Sequence, residues 1–176
     1  GDKTAMKTTM KVAAQRNAFK DDLKLTAEFE SGLLTYTTGN SRVIDRFFLG
    51  SRKMRGFDAG GIGPRECLNR NCGVGNNDAL GGENFAVVRL EAEFPLGLPD
   101  EYGMTGGLFY DIGNLWSLSN SNNDVLYEDG SWRQAIGASI FWKTPIGPLR
   151  FNFSDVLKKE QYDRDESFDL TVSTRF

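Results

Sequence analysis

Seven long stretches of the chain alternate between apolar and polar residues, and this pattern constrains the fold more than any other feature. Each stretch places apolar side chains at every second position, as expected of a β-strand with one apolar face. The alternating stretches are residues 4–14, 22–34, 84–96, 103–113, 132–144, 148–154 and 166–176. Glycine (20) and phenylalanine (13) are abundant and helix-period segments are few, so the sequence predicts an all-β, antiparallel fold.

The lengths of the strands and connections favour a membrane-spanning sheet over a water-soluble sandwich. Strands of globular proteins average about 5–6 residues, whereas membrane-spanning β-strands need about 9–11, and most of these stretches are that long. Short connections alternate with long ones, at about 35–83, 114–131 and 155–165, as in outer-membrane barrels. Since such a barrel normally has an even number of strands, at least eight, seven strands predict an incomplete transmembrane β-barrel.

Composition and motif content argue against several function classes. Basic and acidic residues nearly balance (21 against 24), which disfavours a general nucleic-acid surface. The chain begins without an initiator methionine or an apolar signal segment, so we expect a mature piece or an excised fragment. It has no histidine, no P-loop and no nucleophile-elbow motif, and we therefore expect no enzyme activity, no metal site and no cofactor.

The two cysteines, Cys67 and Cys72, lie in a polar, glycine-rich stretch. Two cysteines without a histidine cannot complete a four-ligand zinc site. A local disulfide in an oxidising compartment is therefore favoured over two free thiols.

Four segments resemble the C-terminal part of outer-membrane protein assembly factors and, more broadly, the superfamily of β-barrel insertases and two-partner secretion transporters. They occur in the family's order, at residues 45–57 with Arg-Gly-Phe, 81–91, 107–116 and 145–159 followed by the closing strand. The resemblance implies a sixteen-stranded barrel of which residues 1–176 form the final seven strands as a single, incomplete domain. It also implies that residues 37–83 form a long loop folded towards the lumen, and that periplasmic POTRA domains lie outside the chain.

The resemblance further implies an ion-pair anchor for this loop. In the family, the arginine of the loop signature pairs with a glutamate and an aspartate on the next two strands, and these positions match Arg55, Glu91 and Asp111. Alternation independently places both carboxylates on the polar side of their strands. An arginine fork can bridge two carboxylates and stays protonated, Gly56 would allow close backbone approach, and Phe57 would be an apolar anchor. The alternative is a solvated Arg55 and two carboxylates that only line a polar lumen.

The last predicted strand ends in an apolar alternation with a terminal aromatic residue. It resembles the β-signal by which the assembly machinery recognises outer-membrane proteins. The residues of this candidate signal are Phe168, Leu170, Val172 and Phe176.

The resemblance implies a part of the bacterial outer-membrane machinery that folds and inserts outer-membrane proteins, with the isolated fragment inactive. The implied partners are outer-membrane lipids, unfolded outer-membrane protein clients and, through the POTRA domains, the assembly lipoproteins. Free strand edges would allow the fragment to self-associate. Two alternatives stay open: a two-partner-type polypeptide secretion pore of the same superfamily, and a soluble β-sheet binding domain.

Overall fold

The computed structural model describes residues 4–67, 72, 77–119 and 124–172. Its strands are β1 (Ala5–Ala18), β2 (Leu23–Tyr36), β3 (Arg65–Glu66), β4 (Asn84–Pro95), β5 (Met104–Trp116), β6 (Val125–Leu126), β7 (Arg133–Thr144), β8 (Gly147–Lys158) and β9 (Phe168–Val172). Seven of them form one antiparallel sheet in the order β1-β2-β4-β5-β7-β8-β9, while β3 and β6 form a separate two-stranded sheet. The predicted all-β fold with seven strands in one antiparallel sheet is confirmed. Two short 3-10 helices, Val43–Asp45 and Asp100–Tyr102, complete the regular elements of the described residues.

Four strands run beyond the ends that alternation predicts: β2 ends at Tyr36 and β5 at Trp116, two and three residues later than expected, and β1 and β8 extend furthest. Strand β1 continues to Ala18, past residue 14, because its pairing with β2 extends to a tight hairpin whose turn residue Phe19 has a positive φ. Strand β8 continues to Lys158, past residue 154, because its pairing with β7 runs on in the same register through Asp155 and Val156. Asp155 is an exposed polar residue on the apolar face and Val156 packs against the core on the opposite face, so the alternation ends before the strand does.

The two faces of the large sheet differ in chemistry. One face exposes apolar side chains at every second position, including Leu90, Leu108 and Ile136, each more than 40% exposed. The opposite face, called the inner face below, carries Glu91 and Asp111. This division matches the predicted one between a lipid-facing and a lumen-facing side.

The hydrophobic core lies between the inner face and the long connection 37–83. Strands β2, β4, β5 and β7 contribute one part of this core, and the connection packs onto it. Its buried members are Leu34, Phe47, Leu49, Met54, Phe57, Ile62, Phe85, Val87, Leu115 and Ala135. The connection is therefore a packed part of the fold and not an excursion into solvent.

Long and short connections leave opposite ends of the sheet. The segments 19–22, 96–103 and 145–146 are short, whereas 37–83, 117–132 and 159–167 are long. Strands β1 and β9 stand at the two edges and do not pair with each other, so the described sheet is not closed. Among the described residues, no helix is both long and apolar enough to cross a membrane.

Candidate functional site

Arg55 binds Asp111 through both its side chain and its backbone. Its Nε and Nη2 donate to the two carboxylate oxygens at 2.8 and 2.6 Å, and its backbone N–H donates to Oδ2 at 2.9 Å. Its remaining terminal nitrogen, Nη1, donates to Glu91. Asp111 is fully buried and the Arg55 side chain is about one-tenth exposed, so this is a bidentate, charge-assisted contact with little competition from water.

The residues around Arg55 fit the inner face at close range. Residues 54–57, called the loop tip below, are all buried. Gly56 has a φ of +90°, and a Cβ atom there would lie 2.9 Å from the Cβ of Ala135. Met54 packs in the same way over Gly113, whose own Cβ would lie 2.8 Å from the Met54 sulfur. Only glycine combines this backbone conformation with so close an approach, which explains the glycine next to Arg55.

The loop tip also pairs with the segment that precedes β9. Phe57 is fully buried and forms an isolated antiparallel bridge with Asp165. The backbone N–H of Glu166 donates to the carbonyl of Gly56 at 2.9 Å. The tip therefore touches β5, β7 and the last long connection at once.

An aromatic ring forms the platform beneath the Arg55 guanidinium. The guanidinium carbon lies 3.9 Å from the centre of the Phe109 ring, which is a cation–π distance. Phe109 in turn covers Gly137, its partner on β7, where a Cβ atom would lie 2.4 Å from the ring and 2.2 Å from the Phe153 carbonyl oxygen. The absence of a side chain at Gly137 therefore leaves the space that Phe109 occupies.

Gly137→Ala should displace Phe109 and destabilise the barrel wall. We expect a loss of about 1–3 kcal/mol in the free energy of unfolding, the usual cost of overpacking, measured by urea denaturation in detergent micelles. Ala138→Val is the matched control, because Ala138 is exposed on the opposite face and should tolerate the larger side chain. Equal effects of the two variants would contradict the packing of Phe109 on Gly137.

Charge pairing keeps the buried guanidinium of Arg55 ionised. Burial by itself would lower the pKa of Arg55, but the hydrogen bonds and negative charges of Asp111 and Glu91 raise it above its usual value. Arg55 therefore keeps its positive charge throughout the physiological pH range.

Further arginines on the inner face extend the ion-pair network, and the sequence interpretation assigned none of them. Arg89 of β4 pairs with Glu28 and Glu30 of β2 and donates to the carbonyl of Lys53 at 2.6 Å. Arg150 of β8 pairs with Glu91. Period-2 alternation places these side chains on the polar face, but which carboxylate each one meets depends on the curvature of the sheet and on the path of the loop.

A second buried ion pair joins the start of β7 to the last long connection. Arg133 at the start of β7 donates to Asp163 from Nε at 2.8 Å and from Nη2 at 3.1 Å, and both side chains are fully buried. Arg133 also donates to the carbonyl of Ser131, and Asp163 accepts from the backbone N–H of Glu160. Asp163 lies in a polar segment without alternation, so no sequence pattern pointed to it.

The two cysteines form the predicted disulfide. Cys67 and Cys72 are joined in the outer part of the long connection, and Cys67 is fully buried. The neighbouring strand β3 pairs with β6 of the next long connection, so the bridge lies beside a contact between two loops.

The described part of the candidate β-signal lies on the exposed apolar face. Phe168, Leu170 and Val172 are each 47% exposed or more, and the Phe168 ring lies 5.3 Å from that of Phe153 on β8. Phe176 lies outside the described residues. Recognition of this strand by an assembly machinery remains a prediction.

Comparison with known proteins identifies the family. The Omp85 superfamily domain matches residues 1–176, so the chain belongs to this superfamily. The outer membrane protein assembly factor BamA of Neorickettsia risticii is 29% identical over 177 residues, covering 100% of this chain and 23% of that protein. BamA of Neisseria meningitidis serogroup B is 26% identical over 147 residues, covering 72% of this chain and 18% of that protein.

A solved structure has the same fold. The crystal structure of BamA from Haemophilus ducreyi lacking POTRA domains 1–3 matches 96% of this chain and 34% of that chain, with a TM-score of 0.71 and 20% identity. The resemblance to this superfamily and the β-barrel fold are thus confirmed, and the chain is a bacterial outer-membrane protein. The chain spans less than a quarter of the length of the two curated relatives described above.

Proposed function

We propose that the chain is the C-terminal part of an outer-membrane β-barrel assembly factor, which folds and inserts other outer-membrane proteins. The observation that carries this proposal is the agreement of two independent likenesses: one to BamA sequences across the whole chain, and one to a BamA barrel across the seven-stranded sheet. In the whole protein, the seven strands would form one wall of a sixteen-stranded barrel.

The inner face would then be the wall of the lumen, and the connection 37–83 would be a loop folded into it. Arg55 would anchor this loop through Asp111 and Glu91, with Gly56 and Phe57 fitting the tip against the wall. Ordering a connection of this length costs conformational entropy, and the buried ion pairs together with the packed core offset that cost. The loop would thereby keep one conformation while the barrel folds and inserts other proteins.

The partners of the whole protein follow from the same proposal. Its exposed apolar face would contact outer-membrane lipids, and its substrates would be unfolded outer-membrane proteins. Assembly lipoproteins would bind through POTRA domains outside this chain. The edge strand β9 offers unpaired backbone groups, which can template an incoming strand or pair with a second copy of the fragment.

Insertion would use an opening between the first and last strands of the barrel, where an incoming strand could pair with an exposed edge. The isolated chain should lack insertase activity, because it contributes only the last of these two strands. The whole protein, reconstituted in liposomes, should accelerate the folding of an unfolded outer-membrane barrel, whereas the chain alone should leave the folding rate at that of empty liposomes. Faster folding of the client in the presence of the isolated chain would contradict its predicted lack of insertase activity.

The same liposomes test the alternative from this superfamily. If the whole protein moves a secreted polypeptide into the liposome lumen and leaves barrel folding unchanged, the chain belongs to a secretion pore and the assembly proposal is wrong.

A further inference from the structure

One carboxylate oxygen of Glu91 serves two arginines. Arg55 donates to Oε2 from Nη1, and Arg150 of β8 donates to the same oxygen from Nη2. Strands β5 and β7 lie between Glu91 on β4 and Arg150 on β8 in the sheet order. The side chains of Glu91 and Arg150 can therefore meet only because the inner face is concave. Their contact crosses the concave face above β5 and β7, next to the loop tip.

Contacts with residues other than Glu91 also fix the position of the Arg150 side chain. Its Nε donates to the side-chain oxygen of Asn152 at 2.8 Å, and its Nη2 lies 3.2 Å from the hydroxyl of Ser139. Ser139 and Asn152 are both only 2% exposed. The guanidinium also lies 4.7 Å from the centre of the Phe141 ring. The guanidinium of Arg150 is thus a preorganised donor, oriented by two hydrogen bonds and by the Phe141 ring.

Glu91 gains its orientation from this donor. A glutamate side chain has several rotatable bonds, and fixing them for a single contact costs conformational entropy. With Arg150 bound to both of its oxygens, at 3.4 Å on Oε1 and more closely on Oε2, the carboxylate already faces Arg55. Without Arg150, Glu91 would have to be ordered by the loop tip alone.

The contacts continue from Arg150 to the last strand. The side-chain nitrogen of Asn152 donates to Asp169 of β9 at 3.3 Å, and the two residues lie directly opposite each other in the β8–β9 pair. This contact lies on the inner side of β9, so it adds a side-chain link to the backbone pairing of Phe168–Val172 with β8.

We propose that Arg150 is a positioning residue for the loop anchor. It holds the carboxylate of Glu91 towards Arg55 and, through Asn152, connects the anchored loop tip with β9. The inference rests on the loop-anchoring part of the proposed function, and it adds a residue that acts on the anchor without touching the loop signature.

Hydrogen exchange in the whole protein tests this role without any client. The probe is the backbone amide of Arg55, which donates to Asp111. Arg150→Met should accelerate its exchange about tenfold, the scale of one lost charge-assisted hydrogen bond. In a Glu91→Gln background, which removes the charge that both arginines share, Arg150→Met should add less than about a twofold acceleration.

Arg89→Met is the matched control, because Arg89 also lies on the inner face and contacts the loop at Lys53 but does not bind Glu91. It should accelerate exchange equally in both backgrounds. If Arg150→Met also acts equally in both, or leaves the wild-type exchange unchanged, the positioning role is wrong. Arg150→Lys gives the same comparison if the methionine variant does not fold, since lysine keeps the charge but not the forked contacts.

The amides of β9 test the connection to the last strand. The loop tip also pairs by backbone with residues 164–166, so any variant that loosens the tip will affect β9 to some extent. Arg150→Met should accelerate the exchange of the β9 amides more than Arg89→Met does, because it also removes the contact with Asn152, which binds Asp169 of β9. Equal effects on β9 would refute the connection through Asn152. Neither outcome bears on whether the whole protein folds clients, which the liposome assay measures separately.

Discussion

Replacing Arg55 with alanine should release the loop tip from the inner face while the seven strands stay intact. The variant leaves the fully buried carboxylate of Asp111 without its cation, and removing one partner of a buried pair typically costs about 3–5 kcal/mol. We expect the free energy for opening the tip to fall by about that amount. Limited proteolysis of the connection 37–83 should become much faster, while the circular dichroism of the sheet should stay unchanged.

Two variants make the Arg55 result specific. Arg52→Ala is the matched control, because Arg52 is exposed and lies outside the tip. Its effect should stay within about 0.5 kcal/mol, as for most surface substitutions. Adding Asp111→Ala to Arg55→Ala should cost less than the sum of the two single changes, because the second change removes the charge that the first left unpaired. An unchanged protease sensitivity of Arg55→Ala would show that the ion pair does not anchor the loop.

Asp163→Ala should weaken the contact between the start of β7 and the last long connection by a similar amount. It leaves the guanidinium of Arg133, which is fully buried, without a carboxylate. Only the Ser131 carbonyl remains as a hydrogen-bond acceptor for it among the contacts described above. We expect a loss of about 3–5 kcal/mol, measured as a lower denaturation midpoint and as faster hydrogen exchange in 124–132 and 159–167.

The neighbouring Asp165 provides the control for this pair. Asp165 forms an exposed ion pair with Lys159, so Asp165→Ala should cost no more than about 1 kcal/mol. Replacing both partners, as Arg133→Met with Asp163→Leu, should recover most of the loss, because no buried charge is then left unpaired. If the double variant is as unstable as Asp163→Ala, the loss comes from the packing of the two side chains and not from an unpaired buried charge.

The sequence predicted the sheet well because each strand of a membrane barrel has two different environments. Side chains such as Leu90 and Glu91 must alternate between lipid and lumen, so the period of two is read directly from the chain. The ends of β1 and β8 were predicted less well, since backbone pairing runs on where the alternation stops. Strands β3 and β6 have two residues each, too few to show any period.

The site was predictable only where a motif and the alternation met. Arg55, Glu91 and Asp111 were singled out by a family signature together with their place on polar faces, and the structure brings their side chains together. Arg150 also falls on a polar face, but its contact with Glu91 depends on the concavity of the sheet, which no local pattern encodes. Asp163 lies in an irregular segment, and only the folded connection brings it to Arg133.

The accessibility of a thiol at the loop tip tests the central claim most directly. Met54 is fully buried and Arg52 is exposed, and the native Cys67 and Cys72 are joined in a disulfide. In the whole protein in liposomes, a small charged thiol reagent should label Arg52→Cys rapidly and Met54→Cys only after denaturation or in the presence of Arg55→Ala. Equally rapid labelling of both positions in the folded protein would contradict an anchored loop tip.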